Sequence, residues 1–317
     1  KQDNNFKMRK IIRTAVIISV LFSAAAALSA GSGGESMAFL KNGTGVRAIG
    51  MGAAFTAVAD DLSGVLYNPA GTIGLGDLQL MAEAHFLSFG RTLNFISIGK
   101  PFAMNENLYS VSVSWLNASA GGDLEYRRTN SYEPESFFSD SSNIFLFNVS
   151  TVLSRNFAIG GNVKVFINNI YTARGTGLGF DLGFITRPFE GFRAGFSASN
   201  LSANIAWDNS SEVESVPIVF NGGASYGMSD VNGMKGLDFR AAVDFLYTGF
   251  GVFRVKGGVE GGFNEFVFLR AGYNETITMG MGIILKPTQV FSVKVDYAFM
   301  PDTVSYTHLT LPTKRIV

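Results

Sequence analysis

At 317 residues the chain can hold one large domain or two small ones. Its 25 Lys+Arg balance its 25 Asp+Glu to a formal net charge of zero, so bulk charge gives no case for a nucleic-acid or anionic-surface partner. The absence of cysteine removes disulfides, thiolate metal sites and cysteine nucleophiles. Only 16% of residues are charged, against 37 Gly and 29 Phe, which suits strands with one apolar face and one crowded face.

The chain begins with a positive stretch, Lys7, Arg9, Lys10 and Arg13, followed by the apolar run Ala15 to Leu28 and small residues from Ala25 to Ala30. That is the layout of a secretory signal peptide, cleaved near Ala27 or Ala30. The apolar run is about 14 residues, short of the roughly 20 that a spanning helix needs. Met8 fits a start residue, which makes residues 1–30 upstream sequence plus signal peptide. Residues 31–76 then form a lead-in. Within it, Gly43 to Thr72 packs glycine and alanine around Arg47, Phe55 and the adjacent Asp60 and Asp61, and closes on Asn68-Pro69-Ala70. Gly50 and Gly52 permit close backbone approach to a wall. Asp60 and Asp61 can cap backbone N–H groups or pair with cations, and Asn68 with Pro69 makes a turn.

From Asp77 the pattern has period two. Tyr109, Val111, Val113 and Trp115 alternate with serines. Leu178, Phe180, Leu182 and Phe184 alternate with Gly179, Asp181 and Gly183. Phe239, Val243 and Phe245 oppose Asp238, Arg240 and Asp244. Ile277 to Ile283 and Phe291 to Phe299 repeat the scheme. These are half-buried strands of about ten residues, enough to cross a bilayer when tilted. With an export signal, and because lipid tolerates no unpaired backbone, the expected fold is all-β: a transmembrane antiparallel β-barrel over residues 77–304. Ser154–Asn156, Arg187–Glu190, Phe263–Glu265 and Lys286–Gln289 are tight turns, placed on the periplasmic side. Asn117–Asn143 and Leu201–Pro217 are expected as the longer outer loops.

The strand count is about thirteen, ending at Phe299. Single-chain bacterial barrels have even numbers, so about fourteen strands are expected in the complete form. Residues 305–317 lack alternation and carry Pro312, and read as a non-native tail where the last strand is missing.

One face carries charges of both signs: Glu83, Lys164, Asp181, Arg193, Arg240, Asp244, Arg254, Arg270, Lys294 and Asp296, with His85, Asp238, Lys256 and Glu260. Mixed sign points to a lumen salt-bridge network rather than an ion-selective pore. Phe266 and Phe268 read as inward beside Arg270, and Ile96 and Ile98 as inward on the second strand. They either line a site for an apolar ligand or pack on the lead-in. The two histidines, His85 and His308, make neither a metal pair nor a triad with a serine motif. No enzyme activity, cofactor or metal is expected.

The Gly43–Thr72 segment, with its Gly-Met-Gly, Val-Ala-Asp-Asp and Asn-Pro-Ala elements, resembles the N-terminal signature of the FadL-like and PorV/PorQ-like outer-membrane proteins. The barrel pattern to Phe299 agrees with that resemblance, while residues 305–317 depart from the family's alternating, aromatic-ended last strand. The resemblance implies a fourteen-strand barrel in the outer membrane of a Gram-negative-type bacterium, with a plug from about Met37 to Gly76. Arg47, Phe55, Asp60, Asp61, Asn68, Pro69, Phe266 and Phe268 become candidates for plug or ligand contacts. Two functions follow from it: transport of small hydrophobic molecules of the fatty-acid class, or a PorV-like accessory of type IX secretion that binds exported proteins through its outer loops. The expected partners are a lipid bilayer with an apolar solute, or secretion-system and exported proteins.

Overall fold

The computed structural model describes residues 36–126, 133, 136–211, 213–249, 251–287 and 291–301. The signal peptide and the 305–317 tail expected from the sequence lie outside them. Alternation becomes antiparallel strands throughout: β1 Gln79–Phe86, β2 Arg91–Met104, β3 Asn107–Tyr126, β4 Ser136–Ser154, β5 Phe157–Ile170, β6 Ala173–Thr186, β7 Phe192–Trp207, β8 Val213–Ser215, β9 Val219–Met228, β10 Leu237–Thr248, β11 Phe253–Phe263, β12 Val267–Asn274, β13 Thr276–Leu285 and β14 Val293–Phe299. They form one fourteen-stranded sheet in sequence order, with β8 off the path and paired to β7. The continuous path is thus the thirteen strands read from the sequence.

Tight turns set the register. Asn105 and Glu106, between β2 and β3, both have positive φ, as do Asn264 and Glu265 after β11. Two such residues in a row match the twist of a hairpin. At the opposite end Asn117–Asn143 is less of a loop than its polarity suggested. The ladder continues through Asn117↔Asn143 and Ala120↔Asp140 to Tyr126↔Ser136, because Ser and Asn pair their backbones as readily as apolar residues do. Leu201–Pro217 likewise folds into the end of β7 and the short β8.

The two faces of the sheet are inverted relative to a water-soluble protein. Leu182 is 59% exposed and Ile277 63%, whereas their neighbours Asp181 and Thr278 are at 1% and 0%. The same holds along β4, where Phe147 and Val149 are exposed and Asn148 and Ser150 buried. The outer face is apolar, whereas the inner face is polar along stretches such as these and apolar at Leu93, Phe95, Leu116, Ile144 and Phe166.

The buried core is supplied largely by the N-terminal segment, which lies on that inner face. It comprises 3₁₀ turns at Ala38–Asn42, Leu62–Leu66 and Pro69–Gly74 and the short helix α1, Val46–Gly50. Ala48, Met51, Ala54, Phe55, Val58 and Tyr67 form one buried cluster with Ile185 and Ala242 of the sheet. Val65 joins a second, with Leu93, Phe95, Leu116, Ile144, Leu146, Phe166 and Ile205.

The sheet is not closed, since among the described residues β1 pairs only with β2 and β14 only with β13. It is strongly curled all the same. The Val46 N–H donates to Glu83 Oε1 of β1 at 3.0 Å, while α1 packs on β12, β13 and β14. A five-residue helix, about 6 Å from first to last residue at helical rise, therefore reaches both edges.

Two inward assignments change. Ile96 and Ile98 are exposed, and the inward residues of β2 are Leu93, Phe95 and Ser97. The Glu83↔Phe95 and His85↔Leu93 pairing fixes that parity, because directly paired residues share a face. Phe266 is also exposed, being in the turn before β12 rather than on the strand.

Candidate functional site: the N-terminal segment on the inner face

Each turn of the segment is made by local chemistry. Asp61 caps the Leu62–Leu66 turn, its Oδ1 accepting from the Ser63 N–H at 3.0 Å and from the Ser63 hydroxyl at 2.6 Å. Asn68 caps the next turn by accepting from the Ala70 N–H at 3.1 Å, with Pro69 in the first helical position, where its missing N–H costs nothing. The Asn68 amide also donates to the carbonyls of Thr56 and Phe184, both at 2.9 Å. Asn68 and Pro69 thus fasten the segment to itself and to β6.

Glycine on both partners allows the contact. Gly52 has φ +63°, and a Cβ there would meet the Tyr273 and Gly257 backbones. Opposite it, a Cβ on Gly272 would collide with the Gly52 nitrogen and Met51 carbonyl carbon. The Gly52 N–H is satisfied by Thr278 Oγ1 at 3.1 Å.

Arg47 is the hub of the charged contacts. Its Nε and Nη2 donate to the two oxygens of Glu260 on β11, each at 2.8 Å, a bidentate fork. Its Nη1 donates to Asp60 Oδ1 at 2.6 Å and lies 3.3 Å from Asp61 Oδ2. Glu260 also accepts from Arg270 Nε at 2.7 Å, and Arg270 Nη1 donates to Asp296 Oδ1 at 2.7 Å. Lys294 follows at 3.4 Å from Asp296. The other oxygen of Asp60 accepts from Arg240 at 3.0 Å and from Arg193 at 3.3 Å. Burial by itself would raise the Asp60 carboxyl, but Arg47, Arg240 and Arg193 outweigh it and hold the group well below the ordinary carboxylate range. Tyr67 moves the other way: burial pushes its phenol far up, and it stays a neutral donor to the Thr44 carbonyl at 2.8 Å.

Arg47, Asp60, Asp61, Arg193, Arg240, Arg270, Lys294 and Asp296 are thus brought together. Phe268 accompanies them, its ring 5.6 Å from the Arg270 guanidinium carbon. Phe55 is fully buried beneath Arg47 and edge-on to Tyr67, so it packs the segment. Asp244 serves the backbone, accepting from the N–H groups of Phe55 and Thr56 at 2.8 Å each. Glu83 holds the Val46 N–H, with His85 3.5 Å behind it. Arg254 stands apart, 3.0 Å from Glu275.

Lys164 and Asp181 form a separate buried pair at 2.8 Å, set at an irregularity of β7 where Asn200 and Ser202 have positive φ. Asp181 accepts from the Asn200 N–H and Lys164 donates to the Asn200 side chain. Sequence reading passed over the neutral grips. The Asn162 amide donates to the Val65 carbonyl at 2.7 Å, Asn148 to the Pro69 carbonyl at 3.1 Å, Ser197 to the Tyr67 carbonyl at 2.7 Å, and Thr72 to Asn148 Oδ1 at 2.7 Å. The signal was present as Asn148 and Asn162, amides alternating with exposed Phe147, Val149 and Val163.

Cavities flank the segment on two sides. Two, of about 630 and 370 Å³, lie toward the short-turn end and share Asn156, Arg187 and Arg193. A third, about 90 Å³, lies toward the other end among Met37, Leu40, Leu66, Val216 and Leu246, with Lys164 and Lys256. It shares no lining residue with the first two. Among the described residues no group of three or more acidic, His or Cys side chains is placed to hold a metal ion. No protein-family model and no curated protein matches the chain.

Proposed function

We propose that the chain is an outer-membrane β-barrel, plugged by its N-terminal segment, that passes small hydrophobic molecules of the fatty-acid class. The observation that carries the membrane assignment is the inversion of the sheet. Apolar residues such as Leu80, Val149, Leu182, Leu269 and Ile277 stand exposed on every part of the outer face, far beyond the few hundred Å² of apolar patch that a soluble monomer tolerates. Lipid satisfies such a face, and strands such as β2 to β7, of 14 to 20 residues, are long enough to cross it when tilted. A strand bridging β1 and β14 would complete the ring that lipid demands.

The transport reading is supported by a gradient along the inner face. Leu93, Phe95, Leu116, Ile144, Phe166 and Ile205 make its long-loop end apolar, and Met37, Phe39 and Leu40 of the segment cover them. An apolar solute could follow that lining once residues 36–45 shift, and the segment stands between this end and the two short-turn cavities. A PorV-like secretion role is favoured by a different feature, the β3–β4 hairpin, whose strands of 20 and 19 residues are the longest in the sheet and offer a projecting surface to a protein.

Purification from the native outer membrane, followed by mass spectrometry of whatever accompanies the chain, separates the readings. Extraction only by detergent with a bound apolar molecule and no protein in stoichiometric amount is the expected result. Secretion components or exported proteins in stoichiometric amount would replace transport by the accessory role. A stable, water-soluble product would end the membrane assignment itself.

A further inference from the structure

The cavity of about 630 Å³ has an unusual excess of donors. Arg187, Arg193 and Arg240 all line it. Arg193 and Arg240 each give one nitrogen to Asp60, and Arg193 adds the Val58 carbonyl at 3.2 Å. Each guanidinium has five N–H donors, so most of theirs stay uncommitted. The Arg187 side chain makes no hydrogen bond or ion pair among the described residues; only its backbone N–H is engaged, by the Asn156 carbonyl.

The sheet register explains how the arginines come to share a space. Arg193 on β7 is level with Ser225 of β9, and Arg240 on β10 is level with Gly227. The two cations flank one intervening strand and are staggered by two residues along it, roughly 12 Å apart at the backbone by strand spacing and rise, and the floor between them is made of small residues. Asp60 draws both guanidiniums inward from one side, and the cavity opens on the other. Glu190, Asp238 and Glu260 also line it. Asp238 is two residues rimward of Arg240 on the same face and Glu190 is in the turn, so these two border the mouth, while Glu260 lies deeper with both oxygens already taken by Arg47 and Arg270.

We propose that this cavity is a binding site for a phosphate group, held by Arg187, Arg193 and Arg240 over Ser225 and Gly227. Phosphate is favoured over carboxylate by number. Three guanidiniums and a hydroxyl offer more donors than two carboxylate oxygens can accept, whereas a phosphate monoester presents three charged or acceptor oxygens and extra charge. The source is either a free solute or a lipid headgroup, and both present the same group. Because Arg193 and Arg240 also hold Asp60, the bound phosphate shares cations with the N-terminal segment and so couples ligand to segment.

The test is calorimetric titration of the full chain in neutral detergent micelles with inorganic phosphate, chloride being used to fix the ionic strength. A parallel arm uses micelles doped with phosphatidate. Arg187→Gln is the decisive variant because Arg187 holds nothing else in place. Unchanged protease resistance of residues 46–74 is its folding control. Saturable phosphate binding, weakened about ten- to a hundredfold by Arg187→Gln, is expected. Binding of phosphatidate alone with the same loss supports the site and makes a headgroup the source. Heats no different from chloride in both arms, or binding indifferent to Arg187→Gln, overturns the proposal.

Discussion

Residues 46–61 and residues 62–74 belong to one continuous segment, yet the inner face grips them by different chemistry. The first part is held by ions: Arg47 and Asp60 tie it to Glu260, Arg193 and Arg240, and through Glu260 to Arg270 and Asp296. The second is held almost entirely by amides and hydroxyls, through Asn68, Thr72, Asn148, Asn162 and Ser197. Neutral hydrogen bonds contribute about 0.5–1.5 kcal/mol each and respond little to salt or pH. A buried ion pair contributes uncertain net stability, but removing one partner costs about 3–5 kcal/mol because the other charge is left stranded. Salt and acid should therefore act on the first part before the second.

Arg47→Met is the largest expected break in that comparison. It takes one cation from Asp60, which keeps Arg193 and Arg240, and one from Glu260, which keeps Arg270, and should lower stability by up to about 3–5 kcal/mol, read as a drop in the denaturant midpoint. Protease cleavage should appear first within residues 46–61. Equal cleavage in both parts would show that they open as one unit and that the division into two grips has no dynamic meaning.

Acid sharpens the same contrast without mutation. The Asp60 carboxyl is held below its unfolded value, so its contribution is complete above the ordinary Asp value of about 3.9 and is lost as pH falls from there toward the lower folded value. Cleavage of residues 46–61 should thus be flat between pH 7 and 5 and rise below about pH 4, ahead of cleavage of residues 62–74. Asp60→Asn should abolish that acid step. A step persisting in this variant would assign it to other carboxylates.

Asn68→Leu probes the neutral side and should cost less, about 1–3 kcal/mol, by leaving the Thr56 and Phe184 carbonyls and the Ala70 N–H without their partner. Its cost should be the same at low and high salt, whereas that of Arg47→Met should shift with salt. A salt-sensitive Asn68 variant would mean that the two grips are coupled.

Much of this arrangement was legible because a strand repeats every two residues and a polar residue among apolar ones declares its face. Asp181, Asp244 and Arg270 were readable as inward on that ground alone. The reading failed where both faces are apolar: on β2, Leu93 and Phe95 point in while Ile96 and Ile98 point out, and alternation carries no phase. Only pairing with Glu83 and His85 on β1 supplies it. Phe266 was misplaced because the turn at Asn264 and Glu265 ends before it and keeps it off the strand. The irregularity in β7 left no glycine as a marker, since Asn200 and Ser202 themselves take positive φ. Partnerships such as Arg47 with Glu260, 213 residues apart, follow from the curl of the whole sheet and have no local signature. Arg187 was visible only as a turn residue, since its place at a cavity depends on where β7 and the segment end.

The smallest effect is expected at Lys286 and Glu265, and it tests whether burial or mere proximity gives the inner ion pairs their weight. Their separation of 3.0 Å is close to those around Arg47, but the side chains are 61% and 72% exposed. In water the attraction is screened and the ordering of two long side chains offsets most of it. Lys286→Ala should therefore leave the denaturant midpoint and the cleavage pattern of residues 46–74 unchanged within error. A loss approaching that of Arg47→Met would mean that distance alone sets the strength of these pairs. The inner face would then have no special claim as the place where the segment is held.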